Sequence, residues 1–261
     1  MLEPDLLTLH QLSIGHSRDR APLFTHITAT LSKCKLIGLF GRNGIGKSTL
    51  LRTMDGLLPP IAGDVLLKGR KLQKWTPIDI ATQIAFVPSL PQRTPRLSVI
   101  DMVGIGRYGF TNWIGAERKI DREIISKALD ITALSHLAHR DSSTLSDGEL
   151  QRASIARCLV QDTPLILLDE PTAFLDTGNK YKTVYLLKEI TQTEQKGILF
   201  STHDLTLALQ VCDLLWIMDD NGFYAQPPAQ LIQQGILDTL FQSYGLTFDC
   251  QTLSYRYAQI Q

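Results

Sequence analysis

Two kinds of hydrophobic spacing occur along this chain. Residues 6–14 and 24–31 alternate apolar with polar side chains, which is typical of strands with one buried face. Residues 36–40, 165–168 and 197–201 are instead nearly continuous apolar runs, as expected of parallel strands covered on both faces. The first pattern predicts half-buried strands near the N-terminus, and the second predicts buried parallel strands.

Shorter segments add to these strands. Residues 63–69 have the pattern of another edge strand, and residues 84–87 form a short apolar strand that Pro88 ends. Residues 214–218 and 223–224 flank a turn that contains Asn-Gly, a dipeptide that strongly favours a β-hairpin. We therefore predict two further strands and a hairpin.

Helical spacing dominates the middle of the chain. Residues 99–103, 121–134 and 147–160 place apolar side chains at the helical period, with no convincing strand between them. We predict a helical subdomain over about residues 93–162, inserted into the sheet. A further helix over residues 177–192 joins two of the continuous apolar runs and completes a right-handed crossover.

Length and composition suit one large α/β domain. The chain has 261 residues, 44% of them hydrophobic, with 26 basic and 26 acidic side chains. We predict one domain over residues 1–226 and, over residues 227–261, a C-terminal extension of unknown role in which we find no motif. A net charge of zero gives no electrostatic indication of nucleic-acid binding, and we expect none.

Nothing in the sequence predicts a membrane span or a disulfide framework. No stretch approaches 18 uncharged apolar residues, and the acidic N-terminus lacks the layout of a signal peptide. If a membrane is involved, a partner must supply the span. The cysteines are far apart and form no C-x-x-C pair, so we expect free thiols without a metal. They are Cys34, Cys158, Cys212 and Cys250.

The most specific motif is a glycine-rich loop that follows the apolar run 36–40. Residues 41–48 read G-R-N-G-I-G-K-S, which matches the G-x-x-x-x-G-K-[ST] loop whose backbone N–H groups surround nucleotide phosphates. Lys47 can reach the β- and γ-phosphates, and the Ser48 hydroxyl can bind Mg²⁺. The chain is thus predicted to bind a nucleoside triphosphate. The binding residues are Gly41, Arg42, Asn43, Gly44, Gly46, Lys47, Ser48 and Thr49.

A second group of polar residues follows two of the apolar runs. Asp169 and Glu170 come directly after residues 165–168, and His203 follows residues 197–201. At the carboxyl edge of a sheet, Asp169 is positioned to hold Mg²⁺ and Glu170 to deprotonate an attacking water. His203 can donate a hydrogen bond to the γ-phosphate or to that water. We therefore predict Lys47, Glu170 and His203 as catalytic residues.

Further motifs, taken together with this loop, resemble a known family. They are L-S-D-G-E-L-Q-R at residues 145–152, D-E-P-T at 169–172, A-F-L-D at 173–176 and finally His203. In this order the chain resembles ABC-type ATPases over about residues 6–225. The segment V-G-I-G-R-Y at 103–108 is similar to that of ATP-binding subunits of bacterial importers for iron-siderophores, haem and vitamin B12.

The resemblance implies a fold and a composite site. The fold would be the ABC ATPase fold: a P-loop NTPase core sheet, an antiparallel β edge subdomain and an inserted α-helical subdomain. The cofactors would be ATP and Mg²⁺, and two copies would close head to tail in the ATP-bound state. Ser146, Gly148 and Glu149 would contact the nucleotide of the other copy, with Asp176 at the seam. Without the resemblance, Ser146 and Glu149 form a capping box, which leaves glycine amides at a helix N-terminus for an anion.

The resemblance also implies partners and a location. In such importers the dimer drives integral-membrane permease subunits, and through them it acts indirectly with a substrate-binding protein. The chain would therefore be peripheral to the cytoplasmic face of the inner membrane and would dock through its helical subdomain. The cargo is chosen by the other subunits.

The chain departs from the family pattern at several positions. Asp147 stands where a glycine is usual and brings a carboxylate near the expected phosphate, and Glu149 stands where glutamine is common. The family's glutamine after the strand at 84–87, which contacts Mg²⁺, aligns with Ser89, and Gln92 is the alternative. His16 takes the place of the aromatic residue that stacks on adenine.

Two other functions remain open on the sequence. One is an ABC-type ATPase without transport activity, such as a scaffold for cofactor assembly. The other is a P-loop GTPase or small-molecule kinase. Against the GTPase, residues 179–182 read N-K-Y-K and lack the aspartate of the guanine-reading N-K-x-D.

Overall fold

The structure is a computed structural model, and it describes residues 5–17, 21–89, 95–110, 119–242 and 246–257. Its strands are β1 (Leu7–Ile14), β2 (Phe24–Leu31), β3 (Leu36–Gly41), β4 (Ala62–Leu67), β5 (Arg70–Lys71), β6 (Ile84–Val87), β7 (Leu165–Leu168), β8 (Gly197–Thr202), β9 (Leu214–Asp219), β10 (Gly222–Gln226), β11 (Leu246–Asp249) and β12 (Ser254–Tyr257). Its α-helices are α1 (Lys47–Met54), α2 (Pro77–Ala81), α3 (Val99–Gly104), α4 (Lys119–Ile131), α5 (Asp147–Val160), α6 (Thr177–Thr193), α7 (Leu205–Val211), α8 (Pro228–Gln233) and α9 (Ile236–Leu240).

A six-stranded sheet with the order β10-β9-β3-β8-β7-β6 forms the centre of the fold. Every neighbouring pair is parallel except β9 and β10, which form an antiparallel hairpin at the edge. Every residue of β3, β7 and β8 is buried, so the continuous apolar runs are buried parallel strands, as predicted. Because β8 lies between β3 and β7, the carboxyl ends of these three strands are adjacent.

A four-stranded antiparallel sheet with the order β2-β1-β4-β5 packs against one face of the central sheet. The side chains between the two sheets include Leu9 and Val65 from the antiparallel sheet, Leu50 from α1, and Leu167 and Leu199 from the central sheet. The alternating strands therefore bury one face, as predicted, and α1 lies in the apolar layer between the sheets.

A helical subdomain follows β6 and precedes β7. Helices α3, α4 and α5 pack on one another and share a hydrophobic cluster with the other face of the central sheet. A largely buried ion pair joins Arg107 to Asp121 at 2.9 Å, and Arg107 also donates to the carbonyl oxygen of Val160 at 3.0 Å. The predicted insertion is therefore present, with helices from Val99 to Val160.

The C-terminal extension packs against the same face of the core. The ring of Phe241 lies 6.0 Å from that of Phe40 at the end of β3, and 4.5 Å from that of Tyr255. The Thr206 hydroxyl in α7 donates to the carbonyl oxygen of Leu253 at 3.0 Å. The extension is thus attached both to the strand that leads into the glycine-rich loop and to the helix after His203.

Two observations concern membranes and thiols. Within the described ranges, no helix is long and apolar enough to cross a bilayer. All four cysteines are free: Cys34 and Cys250 are exposed, while Cys158 and Cys212 are buried. Burial raises the pKa of the Cys158 thiol to about 12 and that of Cys212 well above its ordinary value.

Candidate functional site

The glycine-rich loop connects β3 to α1. Gly46 directly precedes α1 with φ of 115°, in the left-handed region that favours glycine. A Cβ atom on Gly41 would lie 2.8 Å from the carbonyl oxygen of Met218, so β9 leaves no room for a side chain there. No side chain caps α1 in this described segment, and its first turn contains no acidic residue. The free N–H groups of that turn and the helix dipole therefore favour an anion.

Lys47 is the first residue of α1 and is only 5% exposed. Its ammonium group donates to the carbonyl oxygens of Gly41 at 2.8 Å and Arg42 at 3.2 Å. Burial lowers the pKa of Lys47, and the charges of Glu170 and Asp169 oppose that shift. Lys47 is thus hydrogen-bonded to the loop, and its charge interacts with Glu170, the predicted general base, and with Asp169, the predicted Mg²⁺ ligand.

Two open cavities adjoin the loop. One, of about 1010 Å³, lies between residues 42–45, the start of β2 and the β9–β10 turn. The other, of about 1200 Å³, is lined by residues 40–43, His203 and the C-terminal extension. An ion pair of 3.0 Å between the largely exposed Arg42 and Asp220 joins the loop to the β9–β10 turn. His16 is exposed after β1 and lines neither cavity, so its stacking on adenine stays a prediction.

The predicted hydrolytic residues meet at the carboxyl ends of β7 and β8. Asp169 is 2% exposed and accepts a hydrogen bond of 2.8 Å at Oδ1 from the Ser201 hydroxyl. Glu170 has a positive φ of 47°, and its backbone N–H donates to the same hydroxyl at 2.7 Å. The Nε2 atom of His203 lies 2.6 Å from the Glu170 carboxylate. The structure therefore brings Asp169, Glu170 and His203 together, with the imidazole beside the predicted general base.

The donor set at this edge fits magnesium. Among the described residues, no group of three or more His, Cys, Asp or Glu side chains is arranged to hold a metal by itself. Mg²⁺ in nucleotide sites is commonly bound by one or two protein oxygens, with phosphates and water completing the shell. The buried carboxylate of Asp169 and the half-buried hydroxyl of Ser48 supply such oxygens. Gln92 lies outside the described residues and Ser89 is half-buried after β6, so the choice between them stays open.

The serine-glycine segment forms the N-terminus of α5. The Ser146 hydroxyl caps the helix by accepting from the N–H of Glu149 at 3.3 Å. In return, the Glu149 carboxylate accepts from the N–H of Ser146 at 2.8 Å and from its hydroxyl at 2.9 Å. The hydrogen bond from the Ser146 backbone holds the pKa of Glu149 below its usual value. The capping box is therefore complete, and the serine hydroxyl is engaged by an ionised carboxylate of its own helix.

Asp176 caps the neighbouring helix α6. It accepts from the N–H of Asn179 at 2.9 Å, and this bond lowers the pKa of the aspartate. A Cβ atom on Gly148 would lie 3.4 Å from the Asn179 side chain, so the two helix ends adjoin. Neither cavity at the glycine-rich loop is lined by Ser146, Gly148 or Glu149, an arrangement compatible with a role for this segment in a second copy.

Sequence reasoning missed two contacts of the site. It assigned no role to Ser201, although a polar residue within a buried apolar strand was a usable signal. It also gave no hint that Asp220 pairs with Arg42, because both charges are exposed and lie far apart in the sequence.

Known proteins resemble most of the chain. The ABC transporter family matches residues 24–173, more than half of the chain. The petrobactin import ATP-binding protein FpuD of Bacillus anthracis is 37% identical over 221 residues, which is 84% of this chain and 81% of that protein. The achromobactin transport ATP-binding protein CbrD of Dickeya dadantii (strain 3937) is 33% identical over 236 residues, 90% of this chain and 87% of that protein. The iron(3+)-hydroxamate import ATP-binding protein FhuC of Bacillus subtilis (strain 168) is 37% identical over 202 residues, 77% of this chain and 74% of that protein.

Solved structures have the same fold. A metal-chelate type ABC transporter in an inward-facing conformation matches with a TM-score of 0.80 at 25% identity, covering 98% of both chains. The ADP conformation of MJ1267, an ATP-binding cassette, matches with a TM-score of 0.80 at 22% identity, covering 92% of this chain and 98% of that one. These matches confirm the predicted ABC ATPase fold and leave the GTPase or kinase alternative without support. The chain belongs to the ABC transporter family, among its ATP-binding subunits.

Proposed function

We propose that this chain powers an importer for a metal chelate or a related compound, such as an iron-siderophore, haem or cobalamin. The observation that carries the ATP-hydrolysing part of the proposal is the contact of 2.6 Å between His203 and Glu170, beside the buried Asp169 and the glycine-rich loop. The relatives that import petrobactin and iron(3+)-hydroxamate support the substrate class. In this proposal each polar group at the site has a role in ATP hydrolysis: the carboxylates of Asp169 and Glu170, the hydroxyl of Ser48, the ammonium of Lys47 and the imidazole of His203.

In the proposed hydrolysis, the loop and Lys47 bind the phosphates, and Asp169 and Ser48 hold Mg²⁺. Glu170 accepts a proton from the attacking water, and His203 donates through Nε2–H to the Glu170 carboxylate and so fixes its orientation. When bound, Mg²⁺ would neutralise phosphate charge. This division of roles predicts that loss of Glu170 abolishes turnover without abolishing ATP binding.

The proposed working unit is a homodimer in the ATP-bound state. One copy supplies the glycine-rich loop and the other supplies Ser146 and Gly148 at the N-terminus of α5. ATP then joins the two copies, and hydrolysis releases them, which converts chemical energy into motion. Light scattering on the Glu170→Gln variant tests this: its mass should double with saturating Mg-ATP, and an unchanged mass would contradict composite sites.

A groove beside the helical subdomain is the proposed docking surface for a permease. It has a volume of about 360 Å³ and lies between α2, β6 and α5. Two exposed isoleucines border it, Ile78 at 76% and Ile105 at 39% exposure, and Arg157 also lines it. Ile78 lies on α2 and Ile105 directly follows α3, and exposed apolar side chains from two such segments favour an apolar segment of a permease at the cytoplasmic face of the membrane.

Co-expression with the permease subunits tests the docking surface. Ile78→Asp should abolish co-purification and transport while leaving the ATPase activity of the isolated chain intact. Ile120→Asp is the matched control, because Ile120 is 57% exposed on α4 and does not line the groove. Equal losses in both variants would contradict the assignment of the groove. A wild-type chain that co-purifies with no membrane protein would favour the alternative, an ABC-type ATPase without transport activity.

A further inference from the structure

The hydroxyl of Ser201 lies between Asp169, the predicted Mg²⁺ ligand, and Glu170, the predicted general base. It donates to Oδ1 of Asp169 at 2.8 Å and accepts from the backbone N–H of Glu170 at 2.7 Å. Ser201 is fully buried in β8. A hydroxyl has one proton and can also accept. The Ser201 hydroxyl can therefore accept a hydrogen bond from the Glu170 amide and donate one to the Asp169 carboxylate at the same time.

The strand pattern explains how the hydroxyl reaches this position. Leu167 and Leu199 both face the apolar layer between the two sheets, and side chains repeat every second residue along a strand. Asp169 and Ser201 therefore continue the same face of β7 and β8, at the edge where the glycine-rich loop lies. On this face of β8 the apolar Leu199 is followed by the polar Ser201, at the point where the apolar layer ends and the site begins.

Both hydrogen bonds act on groups that need a fixed direction. A bond to one oxygen of Asp169 fixes the plane of the carboxylate, and with it the direction of the other oxygen. Glu170 has a backbone conformation that non-glycine residues rarely adopt, with φ of 47°, and a partner for its N–H stabilises that conformation. The imidazole of His203 contacts the Glu170 carboxylate. Glu170 is therefore held at its backbone N–H by Ser201 and at its carboxylate by His203.

We propose that Ser201 is a positioning residue for hydrolysis: its hydroxyl orients Asp169 toward magnesium and holds the backbone turn that presents Glu170 to the attacking water. This inference rests on the proposed function of Asp169 and Glu170. Residues that orient a metal ligand commonly change metal affinity or activity about 10–100-fold when they are removed.

Three variants separate the hydroxyl from its surroundings. Ser201→Ala removes the hydroxyl, and Ser201→Thr keeps it. Ser154→Ala is the matched control, because Ser154 is also buried and donates to a backbone carbonyl within α5. Should Ser201→Ala not fold, Ser201→Cys, which has a similar volume but a weak donor, takes its place.

The measurements follow metal binding as well as turnover. Mn²⁺ binding to the complex with a non-hydrolysable ATP analogue, followed by electron paramagnetic resonance, should weaken about tenfold in Ser201→Ala, with kcat reduced about tenfold or more. Binding of a fluorescent ATP analogue in EDTA should stay within about twofold of the wild type, because no metal is involved. Ser201→Thr and Ser154→Ala should resemble the wild type in every measurement.

Two results with the Ser201 variants would overturn the inference. Unchanged Mn²⁺ affinity and kcat in Ser201→Ala would do so, and so would equal losses in Ser201→Ala and Ser201→Thr, since packing would then be responsible. A wild-type chain that lacks Mg-ATPase activity would contradict the proposed function and this inference with it. An active wild type with an unaltered Ser201→Ala contradicts this inference alone.

Discussion

Two helix N-termini in this molecule are candidates for phosphate binding, and they differ in their own hydrogen bonds. In the described structure α1 begins after Gly46 with no side-chain cap and no acid in its first turn. Helix α5 begins with a complete capping box and carries Asp147 and Glu149 in its first turn. The first end can accept an anion as it stands, whereas the second is already satisfied by a carboxylate of its own. Only one of the two ends is therefore prepared for phosphate within a single chain.

The largest expected effect separates binding from hydrolysis at the first end. Glu170→Gln should lower kcat about 100-fold or more, because it removes the general base, while ATP binding at α1 is retained. Glu189→Gln, an exposed substitution on α6, is the control and should change neither quantity. Steady-state ATPase assays check this, and turnover near the wild-type rate in Glu170→Gln would refute the general-base role.

The next effect tests whether α1 holds the phosphates. Lys47→Ala should weaken ATP binding about 10–100-fold, since it removes a charge-assisted hydrogen bond. Lys35→Ala, at an exposed position before β3, should leave the affinity unchanged. Titration with a fluorescent ATP analogue measures both, and equal affinities in the two variants would mean that Lys47 does not contact the nucleotide.

A smaller effect concerns the second end. In a Glu170→Gln background, Glu149→Gln should tighten ATP-driven dimerisation about three- to tenfold, because the carboxylate no longer holds the Ser146 hydroxyl or repels phosphate. Glu123→Gln, an exposed change on α4, is the control. Analytical ultracentrifugation with Mg-ATP provides the dimer dissociation constants. A weaker dimer in Glu149→Gln would show that the capping box supports the contact instead of competing with it.

The smallest effect concerns the opposite end of α1. Burial raises the pKa of Asp55, directly after α1, to about 7, above its ordinary value. Between about pH 4 and 7 the folded chain therefore binds a proton that the unfolded chain lacks, so this contribution to stability falls as pH rises. Asp55→Asn should raise the Tm by a few degrees at pH 8, an effect on the order of 1 kcal/mol or more.

At pH 5 the melting temperatures of Asp55→Asn and the wild type should nearly coincide, because Asp55 is protonated in the folded wild type there. Asp79→Asn is a poor control because Asp79 takes part in the cap of α2. Asp5→Asn, at an exposed position near the start of the described residues, is the better control. A difference in Tm that does not depend on pH would disprove the titration of Asp55.

The sequence predicted the fold well because its signals were local. Strand alternation, buried runs and the glycine-rich loop each depend on neighbouring residues, and β1, β3 and α5 lie where those signals indicated. The contacts of Ser201 with Asp169 and Glu170 join residues about thirty positions apart. Such contacts depend on strand order, which periodicity alone does not specify.

The C-terminal extension shows the same distinction. Its apolar residues were visible, but no local pattern indicated that Phe241 packs against Phe40. The Ser89 and Gln92 alternatives are a third case, since a shift of three residues in a loop changes no periodic signal. Local pattern therefore predicts elements, and long-range packing decides which side chains meet.

The distribution of thiols allows the C-terminal extension to be labelled selectively at a cysteine. Cys250 is exposed between β11 and β12, whereas Cys158 and Cys212 are buried with raised pKa values and will react slowly, since thiolates are the nucleophiles. With Cys34 replaced by serine, a maleimide fluorophore would therefore attach at one native position, and its emission would report in real time whether the hairpin moves as nucleotide is bound and consumed.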